Sequence, residues 1–198
     1  MATRYLRSLQ LRADCTRCCG LCCVGPAFDA DQGFAFDKPA HTPCANLRGD
    51  FRCAIHGERL QRGFPACGGF DCYGAGQRVT QRLFGGASWQ SSPELATRMF
   101  DAYYRYRALH ELMAILQVAV ERVSSRQVAR LWEMWQLIDD LCESGAAMAE
   151  TLPLDELRRD VLSRVRAALG AGLSVIANEN RKFLAFGKLR NEVERERL

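Results

Sequence analysis

The residues in this chain with obvious chemistry are its cysteines. There are ten, and nine of them, Cys15, Cys18, Cys19, Cys22, Cys23, Cys44, Cys53, Cys67 and Cys72, lie between Asp14 and Thr80, leaving Cys142 outside. The first cluster runs Cys15-Thr-Arg-Cys18-Cys19-Gly20-Leu21-Cys22-Cys23. A C-x2-C turn lets two thiolates converge on one metal while the intervening backbone offers N–H groups to the sulfurs, and a neighbouring glycine eases the turn. Pro43-Cys44-Ala-Asn-Leu47, Phe51-Arg52-Cys53-Ala-Ile55-His56 and Cys67-Gly-Gly-Phe70-Asp71-Cys72 follow. In an oxidising compartment such density would build disulfides, but the N-terminal MATRYLRSLQLRAD carries no continuous apolar core of a secretory signal. Reduced thiols in a cytoplasmic setting favour metal ligation.

Eight thiolates, Cys15, Cys18, Cys22, Cys23, Cys44, Cys53, Cys67 and Cys72, suit two tetrahedral zinc sites, or one iron–sulfur cluster with ligands to spare. His56 is a ninth candidate ligand. Adjacent side chains such as Cys22 and Cys23 point apart, so they serve two centres or bridge them; spacing does not partition the set. Cys19 stands between ligand and spectator, and Cys142, at the end of an amphipathic segment, reads as a small buried residue.

This order of cysteines resembles the CxxCxxCC cysteine-cluster family, the YkgJ-like proteins, described as zinc- or iron-chelating. The resemblance spans roughly Cys15 to Cys72. The family places two residues between its second cysteine and the CC pair, whereas three separate Cys18 from Cys22, with Cys19 among them. His56 replaces a tyrosine, and Gly63-Phe64-Pro65-Ala66 stands where an Arg-Pro is expected before Cys67. A closer likeness, through GLCCVGPAF, FAFDKPAHTPCANL, FRCAIHGERLQRGFPACGGFDCYGAGQRVTQRLFGG and LHELM, is to the non-repeat region of actinobacterial proteins labelled pentapeptide-repeat-containing. It covers about 15 to 116 and implies that the cysteine segment and the first long helix form one unit. No array of repeats is present; Ala45-Asn46-Leu47 is an isolated triplet. Some relatives of the cysteine-cluster family are linked to flagellin lysine methylation, but no cofactor-binding domain accompanies the cysteines here.

Other polar residues argue less. His110-Glu111 lacks the second histidine of a zinc-protease helix, since Ala114 stands in its place, so His110 is expected to pack from a helix against the cysteine domain. Asp37, Lys38 and Asp71 are read as a solvated loop, and Gly74-Ala-Gly76 lacks the strand and third glycine of a nucleotide site. No carboxylate pair, nucleophile–base pair or phosphate loop names a substrate.

The elements that must position these thiols divide by composition. Residues 14–80 hold only 13 large apolar side chains with ten glycines and four prolines, too few to offset conformational entropy unaided, and a structural metal can supply ~10–16 kcal/mol. Beyond Pro93 the pattern turns helical. Leu95, Met99, Tyr103, Tyr106, Leu109, Met113, Leu116, Val120 and Val123 recur every three or four residues along one expected face, with Ser92 as N-cap and Pro93 at N1. A second helix is predicted from Arg126 to Cys142 with Trp132 and Trp135 in its core, a third from Leu154 to Ala168, and a fourth from Leu173 that fades into a charged end. The expected architecture is mainly α: a loop-rich cysteine metal-binding domain over 14–90, packed on a helical bundle over 91–190, then a charged tail over 191–198. Residues 1–89 hold 11 basic and 7 acidic side chains, and the rest 16 of each. An excess of +4 is too small to argue for nucleic acid, and no stretch is long and apolar enough for a membrane.

These residues lead to a cytoplasmic metal-binding protein holding zinc or an iron–sulfur centre. A thiol-based redox or metal-stress sensor, or a structural zinc module that binds a protein partner, is the alternative.

Overall fold

A computed structural model of the chain describes residues 11–149 and 151–170. The N-terminal segment before Leu11, the fourth helix expected from Leu173 and the charged tail lie outside them. Among the described residues the fold is mainly α-helical, and extended pairing is limited to two isolated bridges. Two compact units emerge. Among the described residues, one holds 20–71, and the other joins 11–19 with the described part of 72–170. Position 90, where the composition changes, falls inside the second of these.

The 20–71 unit is built of short turns. It opens on α1 (Leu21–Val24), entered through Gly20 at φ +73, and carries α2 (Pro65–Gly69) with a proline in its first turn. Gly20 has a second reason to lack a side chain, because a Cβ there would stand 2.9 Å from Leu47 Cδ1. Bridges Phe28–Lys38 and Leu47–Cys53 tie the loops. Its core is small: Phe28, Phe34, Cys44 and Phe64, with Cys23, Phe36, Leu47, Ile55, Ala66 and Cys67 packed against it. Phe28 and Phe34 stack at 4.3 Å, and Phe36 meets Phe64 edge-on at 5.2 Å.

The helical unit centres on α4 (Pro93–Val120). Ser92 Oγ accepts from the Leu95 amide at 3.1 Å and Pro93 occupies the first turn, as their types require. The expected single apolar face is only part of the outcome. From Leu109 to Leu116 every residue except Ala114 is buried, including His110 and Glu111. A helix enclosed on several sides is what the neighbours impose: α3 (Ala75–Arg78), α5 (Ser125–Glu143) and α6 (Leu154–Leu169) all pack on α4. α3 continues directly into a π-helical stretch, Val79–Leu83. α6 stops at Gly170, whose φ of +57 ends the helix. Trp132 and Trp135 stack at 5.0 Å on α5, and Trp135 is fully in the core.

Candidate functional site

All ten cysteines carry free thiols. The two units share them equally: Cys22, Cys23, Cys44, Cys53 and Cys67 belong to the 20–71 unit, and Cys15, Cys18, Cys19, Cys72 and Cys142 to the helical one.

In the 20–71 unit, hydrogen bonds gather α1, α2 and the two loops that carry Cys44 and Cys53. The Cys44 amide donates to Cys23 O at 2.9 Å, the Leu47 amide to Cys44 O at 2.9 Å, and Leu47 pairs with Cys53. Arg59 Nη1 reaches Cys67 O at 2.9 Å. Cys23, Cys44 and Cys67 thereby share one apolar cluster, and Cys53 joins it through its bridge to Leu47. The Asn46 amide points at Cys44 Sγ, 3.4 Å away, and the Ile55 amide serves Cys53 likewise. An N–H two residues beyond a thiol favours its charged form.

The electrostatics separate the four thiols. Cys23 is pulled below the ordinary thiol value, chiefly by the Cys22 thiol 3.9 Å away, and further by the cations Lys38 and Arg59. Burial pushes Cys44 and Cys53 up. Cys67 rises to about 12, first by burial and then by the charges of Cys23, Cys44 and Cys53. Each of the three thus lies within reach of a Cys23 thiolate.

Lys38, expected in a solvated loop, is instead 5% exposed. Loops of the unit close over its stem, and its ammonium donates to the carbonyls of Val24 at 3.3 Å, Pro26 at 2.6 Å, Pro39 at 3.0 Å and Thr42 at 2.8 Å, while also standing 4.6 Å from the centre of the Phe28 ring. Burial lowers its pKa to about 8, against the thiolate charges of Cys44 and Cys23. No sequence signal marked it, because a lysine among Asp, Pro and Ala looks like any surface lysine. Asp37 stays exposed and accepts from the Ala30 amide at 2.8 Å, and Asp71 is exposed.

His56 is exposed at the start of a short turn, and it contributes through its backbone, whose carbonyl accepts from Arg59 Nε at 2.8 Å.

In the helical unit, α3 is the common neighbour of the remaining candidates. The turn Cys15–Arg17 packs on it, the Cys72 carbonyl accepts from the Ala75 amide at 2.9 Å, and the Cys18 sulfur lies so close to Gly76 that a Cβ there would stand 2.7 Å from it. The glycines of Gly74-Ala-Gly76 therefore serve packing: Gly74, at φ +79, turns the chain into α3, and Gly76 makes room for a thiol. Cys19 is buried against Thr80, sulfur to Oγ1 at 3.4 Å, and burial raises its pKa. Cys142 is buried at the end of α5, held up to about 12 mainly by burial, with its carbonyl bonded by Tyr106 at 2.9 Å.

The donor chemistry of the 20–71 unit, four sulfurs with amide N–H groups and two cations beside them, fits a thiophilic ion such as zinc or iron. The thiols are not drawn into a ligating group: among the described residues, no three His, Cys, Asp or Glu side chains stand together closely enough to hold an ion.

The site and fold define a helical protein with a thiol-rich turn-built unit. Over 152 residues the chain is 37% identical to the uncharacterized protein YybG of Bacillus subtilis (strain 168), a match covering 76% of this chain and 54% of that one. The chain thus spans about half the length of the curated relative it matches. No family model matches the chain, and no solved structure does.

Proposed function

We propose that this is a cytoplasmic metal-binding protein that holds zinc or an iron centre through clustered cysteines. The observation that supports this reading is that Cys23 of α1, Cys44 and Cys67 of α2 pack on one small cluster, with Cys53 bridged to Leu47 beside it. A unit with so little apolar core gains its remaining stability from metal–thiolate bonds. Lys38 and Arg59 supply positive charge beside the sulfurs, which offsets the net negative charge of a four-thiolate site. The likeness to the cysteine-cluster proteins implies further ligands, Cys22 in the same unit and Cys15, Cys18 and Cys72 in the helical one. When bound, zinc would hold the loops together, and an iron–sulfur centre would add electron transfer. If zinc with four thiolates fills the site, the role is structural and the partner is another protein.

Purification without oxygen, followed by a visible spectrum and metal analysis, tests this. About one or two zinc ions per chain without colour, or a brown protein with iron and sulfide, is the expected result. Cys53→Ser and Cys44→Ser should then each lower metal content by at least about half. Wild-type protein without metal, or variants with full loading, would sink the proposal.

One observation favours a second reading, a thiol-based sensor: Cys22 and Cys23 lie 3.9 Å apart, and the Cys23 thiol is lowered. Peroxide takes two electrons from such a pair, the thiols losing their protons as the S–S bond forms and the peroxide leaving as water. Metal release with mild peroxide supports this reading, and retention of metal and fold rejects it.

A further inference from the structure

In the helical unit, residues 12–19 are tied by their backbone to side chains of α3 and of the stretch that follows it. Gln77 Oε1 accepts from the Asp14 amide, while its Nε2 donates to Arg12 O at 3.0 Å. Gln81 Nε2 donates to Arg17 O at 2.9 Å, and Trp89 Nε1 to Cys19 O at 2.9 Å. Thr80 Oγ1 gives its one proton to Gly76 O at 2.9 Å, so it accepts from both the Cys19 amide at 3.3 Å and the Cys19 thiol at 3.4 Å. Gln77 and Gln81 are four residues apart, as are Gly76 and Thr80, so two neighbouring rows of one helical segment make these bonds. The side chains of the stretch add little apolar burial: Arg12, Ala13, Cys15, Thr16 and Arg17 are exposed, Asp14 and Cys18 half-buried, and Cys19 buried.

Side chains that bind backbone N–H and C=O groups fix where a chain runs, whatever residues it carries. Gln77, 8% exposed, uses both ends of its amide on a segment 63 and 65 residues earlier. What it holds there is the C-x2-C turn. Asp14, whose amide Gln77 takes, caps the turn Cys15–Arg17 by accepting from the Thr16 amide at 3.0 Å and the Thr16 hydroxyl at 2.6 Å. Past that turn the Cys18 sulfur stands against Gly76, and on the other side Cys72 leads into α3 with its carbonyl on the Ala75 amide at 2.9 Å.

We infer that Gln77 and Gln81 are positioning residues, which dock residues 12–19 as a strap on α3 and so bring Cys15 and Cys18 to the end of the helix that Cys72 precedes. The role of those three thiols as metal ligands rests on the function proposed above, whereas the docking of the strap rests on its hydrogen bonds. Cys19 is the latch. Its thiol donates to Thr80 while the strap is down and meets solvent when the strap lifts, which sets it apart from the ligands on either side. A segment held by a few polar bonds and one buried side chain opens far more readily than the helices beneath it.

Timed alkylation of the full chain with iodoacetamide, read cysteine by cysteine by peptide mass spectrometry, tests both parts. After treatment with chelator and reductant, Gln77→Met/Gln81→Met should label Cys19 about tenfold faster than wild type, as the loss of two or three ordinary hydrogen bonds predicts. Gln81→Met alone, at a half-buried position, should give about threefold. Gln81→Lys keeps a donor for Arg17 O and should restore slow labelling. Cys142, buried in the helical core, should keep its wild-type rate in Gln81→Met and so separate lifting of the strap from general loosening. In protein purified without oxygen and not treated with chelator, Cys15 should be shielded in wild type and open in the double variant, while Cys44 and Cys53 stay shielded in both. A Cys19 rate unmoved by Gln81→Met, one that rises only in step with Cys142, or a Cys15 as well shielded in the double variant as in wild type would each overturn the positioning role. Cys44 and Cys53 open in the untreated wild type would instead sink the metal reading, with Cys19 still reporting on the strap.

Discussion

Lys38 shows how much a single side chain can decide. Its ammonium satisfies the carbonyls of Val24, Pro26, Pro39 and Thr42, drawing the end of α1 and the 39–42 turn onto one donor. Lys38→Met keeps the apolar stem but leaves those carbonyls without their donor, and should cost at least about 3 kcal/mol. The 20–71 unit contains no tryptophan, so the loss is read by hydrogen exchange, as faster exchange of its amides; unchanged protection would show that water replaces the ammonium. His110 makes a pH-dependent contribution in the helical unit. Burial holds it down to about 4, with Arg78 adding to the fall and the Tyr73 carbonyl and Asp139 opposing it. The unfolded chain takes up this proton near 6.5 while the folded one resists, so stability is full above that value and declines as pH falls towards 4, by up to about 3 kcal/mol. Urea titrations at pH 7 and pH 4.5, followed by tryptophan fluorescence, should show that decline, and His110→Gln should flatten it. An equal decline in the variant would place the acid sensitivity elsewhere.

At the scale of elements, α4 organises the helical unit because neighbours surround it. Leu109 and Leu116 are wholly buried, whereas Leu137 on α5 is 51% exposed. Leu116→Ala is therefore expected to cost about 2–5 kcal/mol, and Leu137→Ala under about 0.5 kcal/mol, both by urea unfolding. Similar losses for the two would contradict the central place of α4. The helix limits were legible because their signals are local: Ser92 and Pro93 open α4, and glycine at 170 closes α6. The enclosure of α4 was not, since Met, Leu, Ile and Ala on the sides away from the repeating positions are compatible with either solvent or a partner helix until α3, α5 and α6 are in place. The π-helical stretch Val79–Leu83 had no signal either, as VTQRL reads like ordinary helix.

At the scale of the molecule, the two units differ in how much apolar core each holds. The helical unit has a large apolar core, whereas the buried hydrophobic residues of the 20–71 unit are Leu21, Val24, Phe28, Phe34, Cys44 and Phe64. If the proposed metal supports the 20–71 unit, chelator treatment should speed exchange of its amides by about tenfold or more while the helices from Pro93 to Leu169 keep their protection. Uniform loosening of both, or of neither, would argue against metal as the support of the turn-built unit. Among the described residues no helix is long and apolar enough to cross a membrane.

The sequence by itself determined the helical class, the limits of three helices and the segregation of thiols into a segment too poor in apolar side chains to fold as an ordinary core. Those features rest on composition and on spacings of a few residues, which physics reads locally. Only the tertiary structure decided which thiols share a cluster, that Lys38 is buried among carbonyls, and that Gln77 and Gln81 hold the backbone of residues 12–17. Such groupings bring together residues up to several dozen positions apart, and nothing in the local propensity of a cysteine, lysine or glutamine records which loop will close upon it.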